Sequence, residues 1–237
     1  MREIKQKNRK QNRKMKITNP KSDKFNALLS NVKSICEPIS MIRDDRFVAN
    51  ICAVQHVIEN NISGDVVEVG VWKGGSVVSM IMTLLDDGVK NRRVHLFDTF
   101  SGMTPHSEKD IDLSGASAEK LLQNPFFKCE SSLEEVTQNV LRTGYPAELI
   151  EFHVGDIRVN QSVPDLIAIL RLDTDWYDST KAELEQFYPN VVSGGIVMID
   201  DYGHWQGCRQ AVDEFLASHP ELKLEGIDYT GRFFVKP

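Results

Sequence analysis

Two pairs of carboxylates close apolar stretches of this sequence. LIAILRL runs into Asp173-Thr174-Asp175, and GIVMI runs into Asp200-Asp201. If these stretches are neighbouring strands, four carboxylates converge at one edge. Like charges so close raise one another's pKa and cost stability. A hard divalent cation relieves the repulsion, and an all-oxygen donor set selects Mg²⁺ or Ca²⁺ over zinc. The competing reading is capping of the following helices, for which Asp178 and Asp201 would serve. Capping does not call for a doublet in both places.

Further acids stand at other apolar run ends. VVEVGV (66–71) carries Glu68 and opens into Gly70-Val71-Trp72-Lys73-Gly74-Gly75-Ser76 ahead of a helical run. Such a turn brings backbone N–H groups and a helix N-terminus to an anion. The dinucleotide fingerprint G-x-G-x-x-G has its first and third glycines, Gly70 and Gly75, but Trp72 takes the middle place. That glycine lets a pyrophosphate approach the backbone, so the loop suits a smaller anion such as an amino-acid carboxylate. Lys73 precedes the glycines, which excludes a P-loop. Asp98 closes VHLFDT (94–99), placed to accept from a ribose diol, with Ser101 just beyond it. Asp156 follows Gly155 at the end of LIEFHVGD, placed to accept from an adenine amino group or to close a turn on its own backbone. Acids on four consecutive strands fit a sulfonium nucleoside, S-adenosylmethionine, better than a polyanionic dinucleotide. Tyr202 and His204 follow the Asp doublet and are candidates to line an acceptor pocket, and His204 is a candidate base.

The elements that must position these residues alternate. Residues 25–62 read as helical, with Phe47, Ile51, Val54 and Ile58 at helical spacing and Gly64 as a stop. GSVVSMIMTLLD (75–86) is apolar nearly all round, as a helix packed on a sheet would be. Residues 100–130 form a long polar loop, and Ser132 with Glu135 makes a capping box for a helix carrying Val136 and Val140. Strands at 149–156, 166–175 and 195–201 alternate with helices near 179–188 and around Cys208, Ala211, Val212 and Phe215. A hairpin through Tyr229-Thr230 ends the chain. Unbroken apolar strands between helices predict an α/β fold, a doubly wound, seven-stranded, mostly parallel sheet. In that class ligands bind beyond the carboxyl ends of the strands. The predicted organisation is a basic tail over 1–24, a helical segment over 25–62 and the α/β domain over 63–237.

Composition sets the class. The 237 residues carry a net charge of −6, split between +8 in residues 1–24 and −14 in the remainder. The acidic body argues against nucleic acid as a partner, since phosphate neutralisation needs basic patches. No apolar run approaches the ~20 residues of a membrane span, and the basic N-terminus lacks the apolar core of a secretory signal. Cys36, Cys52, Cys129 and Cys208 show no pairing or zinc spacing and read as reduced thiols of a cytoplasmic protein. Trp176 and Tyr177 read as packing residues.

LRLDTDWYDSTKAELEQFYPNVVSGGIVMIDDYGHWQGCRQAVDEF (170–215) resembles the macrocin O-methyltransferase family, metal-dependent enzymes that finish the sugars of natural products. GDVVEVGVWKGGS (64–76), HLFDTFSGM (95–103) and SSLEEVTQNV (131–140) are similar to the same family, and the resemblance covers residues 40–237. It implies a class I methyltransferase fold, S-adenosylmethionine as methyl donor, and Mg²⁺ bound by Asp173, Asp200 and Asp201. Asp175 matches the position of a general base. The expected partner is a small molecule that offers a hydroxyl, with a catechol as the nearest alternative to a sugar because both present vicinal oxygens. The other rivals are dinucleotide chemistry on the same fold and a non-catalytic binding module. The resemblance further implies that the N-terminal helices cover the site or join copies into a homodimer or higher homo-oligomer.

Overall fold

The computed structural model describes residues 22–124, 128–159 and 161–237. The basic tail therefore lies, but for its last three residues, outside the described residues. Helix α1 (Asp23–Cys36) opens on Ser22, whose hydroxyl accepts from the Phe25 N–H, and α2 (Asp44–Glu59) follows a short turn. Then come β1 (Asp65–Val69), α3 (Gly75–Asp86), β2 (Val94–Asp98), the four-residue α4 (Ala118–Leu121), α5 (Leu133–Leu141) and β3 (Ile150–Val154). The chain ends with β4 (Ile167–Leu172), α6 (Tyr177–Phe187), β5 (Val191–Ile199), α7 (Gln206–Ala217), β6 (Glu225–Gly226) and β7 (Arg232–Val235).

The strands form one seven-stranded sheet in the order β3-β2-β1-β4-β5-β7-β6. The first five are parallel, and β7 pairs antiparallel with β5 and β6. This is the doubly wound α/β architecture that the alternation predicts. The order reverses between β1 and β4, which sets the crevice at their carboxyl ends. Strands buried on both faces explain the unbroken apolar runs. On one face α1, α2, α3 and α5 pack over residues such as Phe47, Ile51, Val66, Ile81, Leu96 and Ile169. On the other, α6 and α7 cover Val67, Val69, Phe97, Leu170 and Val197. No helix among the described residues is long and apolar enough to cross a membrane.

Element boundaries differ from expectation in instructive places. β4 stops at Leu172 rather than 175, level with the end of β1 at Val69, and by Asp175 the backbone has turned to a left-handed φ of 67°. β5 begins four residues early, at Val191, and ends before the Asp doublet. Ser132 caps α5 by accepting from the Glu135 N–H, but the reciprocal half of the box is not made: Glu135 accepts from Ser131 and pairs with Lys73 instead. The 100–124 loop is anchored, with Ile111 bridging to Ser117 and Asp112 to Trp205.

Register then places the acids. Val69 is level with Phe97 and Leu172, and Leu172 with Ile199. The ladder continues one step past the strand ends: the Gly70 N–H donates to Phe97 O at 2.9 Å, Asp173 to Val69 O at 2.8 Å and Asp200 to Leu172 O at 2.9 Å. Gly70 makes this closure possible. Its φ is +82°, and a Cβ there would lie 2.0 Å from the Asp173 carbonyl oxygen. Gly70→Ala should therefore cost about 2–4 kcal/mol, from left-handed strain plus overpacking. Gly88, also left-handed but with open space around it, should cost only about 1–2 kcal/mol when changed to Ala. Urea denaturation of the two variants checks this; equal losses would contradict the close approach at Gly70.

Candidate active site

The carboxyl edge encloses a cavity of about 300 Å³. Asp98, Asp173, Asp175, Asp200, Asp201 and His204 line it, with Gly70, Gly75 and Ser76 from the first turn of the sheet. Residues 39–43 and Arg46, from the chain entering α2, close it on one side. Met103, Thr104 and Cys129 close another, and Tyr229 and Thr230 of the terminal hairpin a third. Strained backbone gathers here: Trp72, Cys129 and Asp175 all have φ between 47° and 67°. Such conformations persist where surrounding packing over-determines them, and they cluster at functional sites.

The centre is a network of carboxylates and guanidiniums. Arg171 lies in the middle of β4, fully buried, and its Nη1 donates to Glu68 Oε1 at 2.7 Å and Asp173 Oδ2 at 2.6 Å. Its Nη2 bonds Asp200 Oδ1. Arg46 of α2 reaches the same Asp200 oxygen and forks onto Asp228, with Nε to Oδ2 at 2.9 Å and Nη2 to Oδ1 at 3.1 Å. It also donates to Thr230. Two cations thus face Glu68, Asp173, Asp175, Asp200, Asp201 and Asp228. The ligand oxygens of Asp173, Asp200 and Asp201 lie within 4.8 Å of one another. Asp201 Oδ2 is buried with no hydrogen-bond partner.

The electrostatics follow from that imbalance. Burial drives Asp201 well above the ordinary carboxylate range, with Asp175, Asp173 and Asp200 adding to the rise. Burial likewise pushes Asp175 up to about 8, with Asp173 beside it contributing. Asp173 is raised by burial against the pull of Arg171. Asp200 goes the other way: burial works against its charge, but Arg171 and Arg46 hold it below its ordinary value. An orphaned buried oxygen among unneutralised carboxylates is what a hard cation satisfies, so Asp173, Asp200 and Asp201 fit a divalent ion. The capping alternative fails, because α6 and α7 begin on Trp176 and Trp205 with no side-chain cap.

Asp175 is positioned separately. Its Oδ1 accepts from Trp205 Nε1 at 2.7 Å, which orients the carboxylate and leaves Oδ2 free of that bond. Thr174 beside it donates to Glu183 Oε1 at 2.7 Å, and burial raises Glu183 well above its ordinary pKa. His204 lines the cavity edge-on to Trp205, with burial lowering its pKa. Trp176 is buried and donates through Nε1 to Thr104 O at 2.9 Å, and the Tyr177 hydroxyl donates to Glu214, so both pack rather than face the cavity.

Several expected donor contacts need correction. Glu68 is 1% exposed and lies behind the cavity, bonded to Arg171, with burial pushing it up to about 8. Asp156 is outside the lining, because Arg158 grips both its oxygens, at 2.5–3.1 Å, and lowers its pKa; its neighbours Gly155 and Ile157 line the cavity instead. Gly74 and the exposed Ser101 are also outside the lining. Tyr202 turns away, donating to Asp213 at 2.8 Å and packed between Arg209 and Arg232. Asp98 does line the cavity, but its carboxylate accepts from the Val71 and Trp72 N–H groups at 2.6 and 3.0 Å and from Phe100 at 2.9 Å. The Thr99 hydroxyl also lies 3.4 Å from Oδ1 while donating to Gly102 O, so the fourth of about four lone-pair sites is met only by this long contact, which a ligand hydroxyl would replace. Gly75 serves packing as well: a Cβ would lie 2.4 Å from Ser40 Cβ. Sequence reasoning missed Arg46, Arg171 and Asp228. The signal for Arg171 was present, an arginine inside an otherwise apolar strand.

A family model described as macrocin O-methyltransferase matches residues 1–236. The match takes in the basic tail, which the recognisable motifs leave outside. Over 170 residues the sequence is 35% identical to demethyldecarbamoylnovobiocin O-methyltransferase of Streptomyces niveus, covering 69% of this chain and 62% of that protein's length. It is 33% identical over 186 residues to 8-demethyl-8-(2,3-dimethoxy-alpha-L-rhamnosyl)-tetracenomycin-C 4'-O-methyltransferase of Streptomyces olivaceus, covering 76% and 69%. The solved O-methyltransferase NovP superposes with a TM-score of 0.79 at 28% identity, over 90% of this chain and 99% of that one.

The network makes a stability prediction. Arg171→Leu leaves buried acids without their cation and should cost about 3–5 kcal/mol. Glu68→Gln keeps a neutral hydrogen-bonding side chain at a site that already favours the protonated acid, and should cost about 1 kcal/mol or less. Chemical denaturation at neutral pH separates the two; a Glu68→Gln loss as large as that of Arg171→Leu would show that Glu68 is the needed counter-charge.

Proposed function

The chain belongs to the macrocin O-methyltransferase family, and from that premise we propose that it moves the methyl group of S-adenosylmethionine to a hydroxyl of a sugar or similar vicinal-diol small molecule, with Mg²⁺ at Asp173, Asp200 and Asp201. The observation that carries the metal requirement is the orphaned buried Asp201 Oδ2 among three further carboxylates. The relatives, each an O-methyltransferase by name, support the reaction class.

The chain's residues divide the work. Gly75 and Ser76 at the start of α3 bring unpaired helix N–H groups to the cavity, where a methionine carboxylate is favoured. A ribose hydroxyl would take the Asp98 acceptor site that the Thr99 hydroxyl approaches at 3.4 Å, and Ile157 offers an apolar contact near a base. Residues 39–43, Met103 and Thr104 restrict the cavity mouth and exclude water from the reacting centre. Bound Mg²⁺ supplies Lewis acidity, lowering the pKa of an acceptor hydroxyl that is otherwise scarcely ionised. Asp175, held through Oδ1 by Trp205, would take the hydroxyl proton at Oδ2 once a cation at Asp173, Asp200 and Asp201 offsets the neighbouring charge that helps raise its pKa. The acceptor oxygen bonds to the methyl carbon as the carbon–sulfur bond breaks, and the bonding pair stays on sulfur, which becomes a neutral thioether. Alignment of the reacting atoms at about 3–3.5 Å removes much of the entropic barrier. His204, half-buried and with its pKa lowered by that burial, is the second candidate base.

Methyl transfer should be lost with EDTA and restored by Mg²⁺, measured with labelled donor over glycosylated and catechol-bearing acceptors. Full activity after metal stripping would sink the metal role. Asp175→Asn should lower kcat about 10²–10⁴-fold with donor affinity unchanged, as loss of a general base does. If His204→Gln gives that loss and Asp175→Asn does not, the base is His204.

A further inference from the structure

A second group of ligating side chains lies outside the cavity lining, between β2 and the edge strand β3. His95 of β2 faces Glu151 of the edge strand β3 in direct register, and His153 lies two residues along β3 on the same face. His95 Nδ1 is 3.1 Å from His153 Nε2 and 3.5 Å from Glu151 Oε2, and His153 Nε2 is 4.0 Å from that same oxygen. Three atoms at these separations share a point roughly 2.1 Å from each, within the range of zinc–nitrogen and zinc–oxygen bonds, about 2.0–2.2 Å.

The surroundings are arranged as at a metal site. The other nitrogen of His95, Nε2, lies 3.2 Å from Asp65 Oδ2 of β1, the carboxylate–imidazole pairing that fixes the tautomer of a metal-bound histidine. Arg93 takes Glu151 Oε1 and leaves Oε2 toward the two imidazoles. His153 is braced by a parallel stack on Phe97, with ring centroids 4.0 Å apart. The His95 side chain is 6% exposed and that of Glu151 37%, so the group is rigid on the protein side and open to solvent on the other. Two imidazoles and one carboxylate with one open side suit a borderline divalent ion, whereas the all-oxygen group at the cavity suits a hard one.

We propose that His95, His153 and Glu151 form a Zn²⁺ site, with Asp65 orienting His95, distinct from the Mg²⁺ group at the cavity. Zinc bound there ties the edge strand β3 to β2 and stabilises the sheet margin, since an ion that binds only the folded chain adds to its stability.

Calorimetric titration of the full chain with Zn²⁺, in excess Mg²⁺, tests the site. Wild type should take one equivalent. His153→Ala and Glu151→Gln, both at partly exposed positions, should each weaken it by ~10-fold or more, and Asp65→Asn by ~10–100-fold as an outer-shell change does. Asp201→Asn should bind Zn²⁺ as wild type does, which separates this site from the cavity. Zn²⁺ should raise the Tm of wild type and leave that of His153→Ala unmoved. Absence of zinc binding by wild type, or wild-type affinity in His153→Ala and Glu151→Gln alike, would overturn the proposal. Wild-type affinity in Asp65→Asn would remove Asp65 from it.

Discussion

An excess of carboxylate over guanidinium at the carboxyl ends of β1, β4 and β5 is the constraint on which the rest of this structure depends. Among the described residues, Glu68, Asp173, Asp175, Asp200, Asp201 and Asp228 share two cations, Arg46 and Arg171. In a half-buried setting that imbalance cannot be left to water, and it divides the acids by role. Glu68 and Asp228 are held by an arginine; Asp200 is shared by both arginines; Asp201 keeps an oxygen with no partner; Asp175 is held by an indole rather than a cation. The two acids without an arginine, Asp175 and Asp201, both face the cavity.

The same network explains how distant parts of the chain come to frame one site. Arg46 carries α2 onto Asp200 and Asp228, so one guanidinium joins the N-terminal helices, the β5 end and the terminal hairpin. That contact holds residues 39–43 over the cavity, and Gly75 lets Ser40 come close against the start of α3. On the opposite side, Trp176 and Trp205 pack edge to face at 4.8 Å and tie the 104 and 112 regions of the long loop to α6 and α7. The cavity is therefore closed by elements that the acidic cluster and its tryptophan neighbours recruit.

Much of this was legible in the sequence because it is written in local patterns. Unbroken apolar runs marked the strands, and acids at their ends marked the edge where Asp98, Asp173, Asp175, Asp200 and Asp201 now line the cavity. What was not legible depends on side-chain direction and long-range pairing. Glu68 sits inside β1 and points to Arg171, 103 positions away. Asp156 reads as a ligand contact until Arg158, two residues on, is seen to occupy it. Tyr202 follows the Asp doublet, yet its ring is drawn off by Asp213 and two arginines. Arg46 sits in a stretch that reads as an ordinary amphipathic helix, and nothing local tells that its guanidinium is buried against acids from the other end of the chain.

The central claim is that Asp173, Asp200 and Asp201 hold a divalent cation because two arginines are shared among six acids and Asp201 Oδ2 is left with no partner. Mn²⁺ in place of Mg²⁺ can be located by anomalous scattering in crystals of the chain with the product S-adenosylhomocysteine. The account predicts one strong peak among those three carboxylates, lost in Asp201→Asn. A map with no peak there at saturating Mn²⁺, while wild-type crystals diffract and bind the product, would contradict it.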